Sequence, residues 1–299
     1  MKFISKAFNT LPAVVRGPLW MILGGLSLLM LAIVIRDLQQ KYHVLEMILM
    51  RSVISFFIIL PWALRQERSE LKTRRLPLHI FRNGVHYLGN IGWFVGVTII
   101  SLADVQALQF TTPLFVIVMA AIFLRESIGP HRWIATALGF VGALVIIRPG
   151  IIEISLGTVA VVLSAFFYAS SQTATKALSR TDSPNAILLY MSLIFIPISG
   201  VPAAFVWVTP AWEDTIPILL LGISGYLAHA CIINSFAVAD ASFVMPFDFL
   251  RLPFAALFGF FLYQEVPEIW VWIGAVIIFV ATYYITWREV RIQKQGPGG

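Results

Sequence analysis

The sequence predicts an all-α membrane protein of ten transmembrane helices in two inverted five-helix repeats. Three observations lead there: the composition, the spacing of apolar runs, and a self-similarity between the two halves. Of 299 residues, 59% are hydrophobic and 12% are charged. A soluble domain carries about 25% charged and about 45–50% apolar residues. This chain has too little polar surface to cover a water-soluble globule, which excludes disorder, a collagen, a disulfide scaffold and an ordinary soluble enzyme. Cys231 is the single cysteine, so no intrachain disulfide can form.

A bilayer core of about 30 Å takes about 20 apolar residues per helix. Ten runs meet that need, at residues 17–35, 44–64, 83–100, 105–124, 133–147, 154–175, 186–208, 216–239, 241–263 and 269–287. The fifth is short and borrows flanking residues. The runs are continuous and apolar, unlike the short alternating strands of an outer-membrane barrel. The first run lacks an Ala-x-Ala-like site after it, so a cleaved signal peptide is not expected.

Orientation follows from Lys and Arg in the loops. With the N-terminus inside, the inner loops hold Lys2, Lys6, Arg16, Arg65, Arg68, Lys72, Arg74, Arg75, Arg82, Arg125, Arg132, Lys176, Arg180, Arg288, Arg291 and Lys294. The outer loops hold only Arg36, Lys41 and Arg148. Both termini are therefore expected in the cytoplasm. The formal charge of +6 is a topology signal facing a lipid bilayer, not a nucleic-acid footprint. The longest loop, 65–77, is too short for an extramembrane domain, so function must lie among the helices.

The halves resemble each other. Tyr87-Leu88-Gly89-Asn90 matches Tyr226-Leu227-Ala228-His229, and Glu126 followed by Trp133-Ile134-Ala135 matches Glu265 followed by Trp272-Ile273-Gly274, both at a shift of 139 residues. Ala103-Asp104 and Ala239-Asp240 match with the register off by three. Domain boundaries follow at 1–150 and 151–299. Five spans per half is an odd number, so the second half enters the membrane inverted, as in many secondary transporters whose site lies at the midplane between repeats.

These residues carry a resemblance. Phe110-Thr111-Thr112-Pro113-Leu114-Phe115, Phe123-Leu124-Arg125-Glu126, Arg132-Trp133-Ile134 and Gly139-Phe140-Val141-Gly142, echoed by Pro253, Glu265 and Gly274, look like the drug/metabolite transporter superfamily of the ten-helix EamA type. The resemblance covers nearly the whole chain. It implies a metabolite transporter of the bacterial inner membrane, in a superfamily that moves amino acids, nucleotide-like cofactors, vitamins and drugs. The second half departs from the first where Asp248 and Arg251 stand against the stretch from Gln109 to Thr112.

Ionisable residues within spans are costly and mark functional sites. They are Glu46, Arg51, Asp248, Arg251 and the histidines His86 and His229. Asp248 and Arg251 are three apart on one helical face and can pair, between Pro246 and Pro253, which kink or break a helix. Asn90 and His229 are repeat equivalents, as are Gln109 and Asp248, while Tyr168 and Gln172 share the sixth span. Each alone reads equally as interhelical glue; together they point to a polar midplane cavity, with Trp93, Tyr190, Tyr226, Phe247 and Phe249 as candidate walls. The substrate-binding set is Arg51, Asn90, Gln109, Tyr168, His229, Asp248 and Arg251, with Asp248 the candidate coupling residue for protons. Glu46, near its span end, is expected to snorkel outward. Gly89, Gly92, Gly96, Gly139 and Gly142 form small faces for close packing, within the chain or, in a dimer, between copies; monomer and dimer both fit.

Other classes find little support. Gly222-Ile223-Ser224-Gly225 resembles an intramembrane serine protease motif, but the only later histidine, His229, is in the same span. No His-Glu-x-x-His, P-loop or ring of like charges is present, so neither an intramembrane enzyme nor a channel is expected, and no cofactor. The expected function is alternating-access transport of a small organic solute. Two buried arginines against one aspartate favour a zwitterionic or carboxylated, amino-acid-like substrate. The rival is a larger cofactor or vitamin of the S-adenosylmethionine or riboflavin kind.

Overall fold

A bilayer gives the backbone no hydrogen-bond partner, so each apolar run must satisfy itself as a helix. The computed structural model describes residues 12–67, 71–100, 102–109, 111–125, 129–148 and 155–264, with part of 269–287. The described residues contain helices and turns and no strand. In chain order the elements are α1 (Ala13–Leu38), α2 (Val44–Ala63), α3 (Leu76–Ile99), α4 (Leu102–Gln109), α5 (Thr111–Met119) running into a π turn (Ala120–Leu124), α6 (Pro130–Ile147), α7 (Leu156–Leu178), α8 (Pro184–Ala204), α9 (Thr215–Val238), α10 (Ala241–Val244), a 3₁₀ turn (Met245–Leu250) and α11 (Arg251–Tyr263).

Local signals set the helix ends. At α2, the His43 ring accepts from the Leu45 amide and Glu46 reaches back to the His43 amide, a capping box. Ser155 and Ser183 accept from the Thr158 and Ala186 amides and cap α7 and α8. Arg125, Arg148 and Gln264 end their helices in the left-handed region, at φ of 54°, 51° and 58°.

Among the described residues, five helices are long and apolar enough to cross a membrane: α1, α2, α7, α8 and the stretch Trp212–Val238 containing α9. At 24 residues α3 is about 36 Å long, ample for a span. It lacks the hydropathy because His79, Arg82, Asn83, His86 and Asn90 are buried along it. The fourth expected span is helical on both sides of Phe110, as α4 and α5. The ninth is broken into α10, the 3₁₀ turn and α11, as the two prolines imply. The third begins seven residues earlier than the sequence reading placed it, and the seventh stops at Ala204 rather than 208. Residues 269–287 are described in part and are helical where described. Phe110, Glu126, Glu265 and both chain ends lie outside the described residues.

The repeat is visible in the elements. The helices α3 and α9 start 139 residues apart and end 139 residues apart. The same shift carries α4 onto α10 and the left-handed Arg125 onto Gln264. Packing is reciprocal: the first helix of each half packs most closely on the third helix of the other, α1 on α9 and α7 on α3, while α2 lies against α8. The glycine face of α3 is spent on this contact. A Cβ at Gly92 would approach the Ala160 carbonyl oxygen to 2.6 Å, and one at Gly96 would run into Val161. Small residues thus serve helix packing within the chain. Phe94, Phe195 and Ile35 are fully buried in one apolar cluster and Phe236 in a second.

Candidate functional site

Reciprocal packing leaves a polar cavity where α1, α2, α3, α7 and α9 meet the 3₁₀ turn, the start of α11, Gln109 of α4 and Thr112 of α5. Its lining includes Arg51, Asn90, Gln109, Tyr168, His229, Asp248 and Arg251, so all seven residues singled out from the sequence share it. It also includes Arg82, His86, Trp93 and Gln172. Its volume is about 50 Å³, room for a few waters at about 10–15 Å³ each.

On one side, α2 delivers Arg51, which is 2% exposed. Its Nη1 donates to Asn90 Oδ1 at 3.3 Å, and its guanidinium lies 5.7 Å from the Phe94 ring centre and 6.0 Å from that of Phe195. Room for it comes from Gly225 on α9, where a Cβ would meet Arg51 Cδ at 2.5 Å. Asn90 Oδ1 also accepts from the Tyr168 hydroxyl at 3.0 Å. Arg51 therefore pairs with a neutral amide, not with Glu46. Glu46 itself departs from the expectation that it snorkels. It is fully buried, accepts from the His43 amide at 3.0 Å and from the Val208 amide at 2.6 Å, and ties the start of α2 to the loop after α8.

Opposite, the broken helix presents Asp248 and Arg251, which pair at 3.2 Å with both side chains buried. Breaking the helix at Met245–Leu250 places both where the backbone lines protein rather than lipid. The histidines of α3 and α9 meet edge to face with ring centres 4.8 Å apart, and Ser171 hydrogen-bonds His86 Nδ1 at 3.1 Å. Gln109 is held by Ser164, by the Val161 carbonyl at 3.4 Å and by the Thr112 hydroxyl at 3.1 Å.

Arg82 is the cavity-lining arginine that sequence reasoning missed. Counted among the inner loops, it lies inside α3, 2% exposed, donating to Thr175 Oγ1 at 3.0 Å and Asn83 Oδ1 at 2.7 Å. The stripe of His79, Arg82, His86 and Asn90, at intervals of three or four residues, is a polar helix face that could have revealed it. Lys176, also counted as a loop charge, is buried, and its Nζ donates to the carbonyls of Phe236 at 2.9 Å and Ala239 at 2.7 Å. Among the candidate walls, Trp93 lines the cavity, while Tyr226 lines a smaller neighbouring pocket together with Arg51 and His229. Phe249 packs at Gly139 and Phe247 on Phe243. Tyr190 lies instead on the His79 ring, with its hydroxyl bonded to Leu71 and Thr73.

The chemistry of the cavity is that of a donor-rich binding site. Three guanidinium groups face one carboxylate. Arg51 Nη2, Asn90 Nδ2, Gln172 Oε1 and the Nε2 atoms of His86 and His229 are buried without a hydrogen-bond partner. A buried polar atom left unpaired costs about 1–3 kcal/mol, and a ligand can recover that. Among the described residues, no cluster of His, Cys, Asp and Glu could hold a metal ion.

Comparison with known proteins gives this cavity its context. Residues 15–148 and 155–287 each match the EamA-like transporter family. A riboflavin transporter of Rhizobium johnstonii is 31% identical, over 93% of this chain and 93% of that one. A riboflavin transporter of Vibrio cholerae is 32% identical, over 94% and 96%. An S-adenosylmethionine uptake transporter of Rickettsia bellii is 28% identical, over 87% and 91%. A solved crystal structure superposes with a TM-score of 0.77 at 15% identity, covering 93% of this chain and 99% of that one, a likeness in fold. The chain belongs to the EamA-like transporter family and is a multi-pass membrane protein that transports a small-molecule metabolite, not an enzyme.

Proposed function

We propose that this protein is a secondary transporter of a riboflavin-like cofactor, a flat heteroaromatic ring system with an acceptor-rich edge. The observation that carries this reading is the unpartnered donor pair, Arg51 Nη2 and Asn90 Nδ2, beside the aromatic faces of Trp93 and Tyr168. Ring carbonyls would accept from the donors while the ring system stacks on the aromatics. The seven residues Arg51, Asn90, Gln109, Tyr168, His229, Asp248 and Arg251 form the proposed binding set, with Arg82 and His86 added.

Charge separates this reading from its rivals. S-adenosylmethionine carries a sulfonium and an ammonium against one carboxylate, and a cavity with three arginines and one aspartate repels a net cation. An amino-acid-like zwitterion needs Asp248 for its amine, but Asp248 is engaged by Arg251 at 3.2 Å. A neutral flavin needs neither rearrangement. At about 50 Å³ the cavity is too small for any of these solutes, so this conformation is a contracted one and the helices must part to load it, as alternating access requires.

The remaining architecture belongs to the same proposal. Ten spans form two inverted halves, 1–150 and 151–299, in a bacterial inner membrane, with both termini cytoplasmic. Asp248 carries the coupling proton. Uptake of labelled riboflavin into liposomes holding the purified protein tests the substrate. Saturable uptake, blocked by excess unlabelled riboflavin and not by S-adenosylmethionine or amino acids, is expected. Uptake of S-adenosylmethionine or of an amino acid in its place would overturn the reading.

A further inference from the structure

A second cavity differs in every respect from the polar one. It is an open groove of about 800 Å³ on the outer side of α3, α5 with its π turn, and α7, and its lining is almost wholly apolar. Phe81, Phe115, Phe123 and Phe166 wall it, and Phe81 and Phe123 are exposed. Along α7 it runs from Phe166 to Ala177, twelve residues separated by eleven helical steps and therefore about 16 Å. That is about half the thickness of a bilayer core of about 30 Å, or one leaflet.

One end of this groove is basic. Arg75 Nη1 donates to the carbonyl of Ala177 at 3.3 Å, and Arg180 Nη2 donates to the carbonyl of Leu124 at 3.2 Å. Ala177 and Leu124 both line the groove, and Arg125 follows Leu124 with an exposed side chain. Each bond uses one of the five donors of its guanidinium. Arg75 and Arg180 thus place two guanidinium groups at the polar end of an apolar slot one leaflet long, with the exposed Arg125 next in the chain to Leu124. We infer that the groove is a binding site for an anionic phospholipid, with an acyl chain along Phe166–Ala177 and a phosphate against Arg75, Arg125 and Arg180. Charge and length both match this occupant, and phosphate suits the guanidinium fork. Because the site is distinct from the polar cavity, it stands or falls independently of the substrate proposed above.

Native mass spectrometry of the purified full chain, titrated with phosphatidylglycerol or phosphatidylcholine of equal chain length, reads the site directly. The inference predicts that phosphatidylglycerol binds more tightly, and that the preference falls about fivefold for each arginine lost in Arg75→Gln, Arg180→Gln and the double variant. Ser170→Phe, which fills the groove while leaving the arginines in place, should weaken both lipids. Equal affinity for the two lipids in the wild type, or an unchanged preference in the double variant, would overturn it. So would efficient disulfide cross-linking between two copies through Phe123→Cys, which would make the groove a dimer interface.

Discussion

Position 225 has no side chain, and Arg51 takes the space. Replacing Gly225 by Ala puts a Cβ at 2.5 Å from Arg51 Cδ. The arginine side chain can swing away where backbone could not, so the helices should stay packed, at an overpacking cost of roughly 1–3 kcal/mol, while the guanidinium leaves Asn90. Gly225→Ala is therefore expected to retain folding in size-exclusion chromatography and lose transport about as severely as Arg51→Gln. Transport at the wild-type rate would show that Arg51 has no fixed place in the cycle. Asp248 makes a different prediction. As Asn it can still bond Arg251 but cannot shed a proton, so gradient-driven uptake should disappear while substrate exchange across the bilayer persists. Outside the membrane, Asp182 sits between α7 and α8. Burial pushes its carboxyl up, but hydrogen bonds from His79 and Thr73, each 2.7 Å long, outweigh that and hold it below 3.8. A depressed carboxyl stabilises above its unfolded value and loses that contribution as pH falls through the folded one. Thermal unfolding of wild type and Asp182→Asn should differ at pH 7 and converge as pH falls below the ordinary carboxyl range and through the depressed folded value. Arg51, Asp248 and Arg251 were legible in the sequence because charge in an apolar run is costly and has to be paired or solvated, whether its role is structural or functional. Arg82 was not, because a basic residue near a span end reads as a topology signal.

At the scale of elements, the contact of α3 with α7 decides whether the two halves dock. Membrane helices gain no hydrophobic drive from association, so close approach of backbones has to supply it. Gly92→Val would drive side-chain carbon into the Ala160 carbonyl, a rigid neighbour, and should lower the unfolding temperature and the yield of folded protein more than Gly225→Ala does. The C-terminal end of α9 depends on Lys176, whose ammonium bonds the carbonyls of Phe236 and Ala239 and favours the negative end of the helix dipole. Lys176→Met leaves those carbonyls without that donor and should cost about 1–3 kcal/mol, read from denaturant unfolding. The sequence announced most of these elements. Apolar length gave α1, α2, α7 and α8, and the prolines around Asp248 gave the broken ninth run. What it hid was the start of α3, because the polar residues His79 and Arg82 of its first turns read as loop.

For the whole molecule, polar clusters tie the loops at both ends of the bundle. At one end, Lys41 and Tyr42 hold Asp214 at 2.7 and 2.8 Å, and Glu46 holds the Val208 amide. At the other, Thr73 and His79 hold Asp182 while Tyr190 holds Leu71. With both ends tied, the small cavity between them fits a contracted state, and alternating access requires the two ties to release in turn. Sidedness has its own check. Glu70→Cys in a Cys231→Ser background should resist a membrane-impermeant thiol reagent in intact cells and react after lysis; reaction in intact cells would reverse the orientation. The repeat was readable from matching motifs and the seven cavity residues from polar or charged side chains within apolar runs, but solute size was not, since it depends on how far the helices part. Arg51 is the proposed anchor of the transported solute in this cavity. Calorimetric titration of riboflavin into the purified wild type and Arg51→Gln puts that role to the test. Losing a hydrogen bond from a charged donor, worth about 1.5–3 kcal/mol, should raise the Kd about tenfold or more. Equal Kd values, or no riboflavin binding by the wild type, would contradict the account.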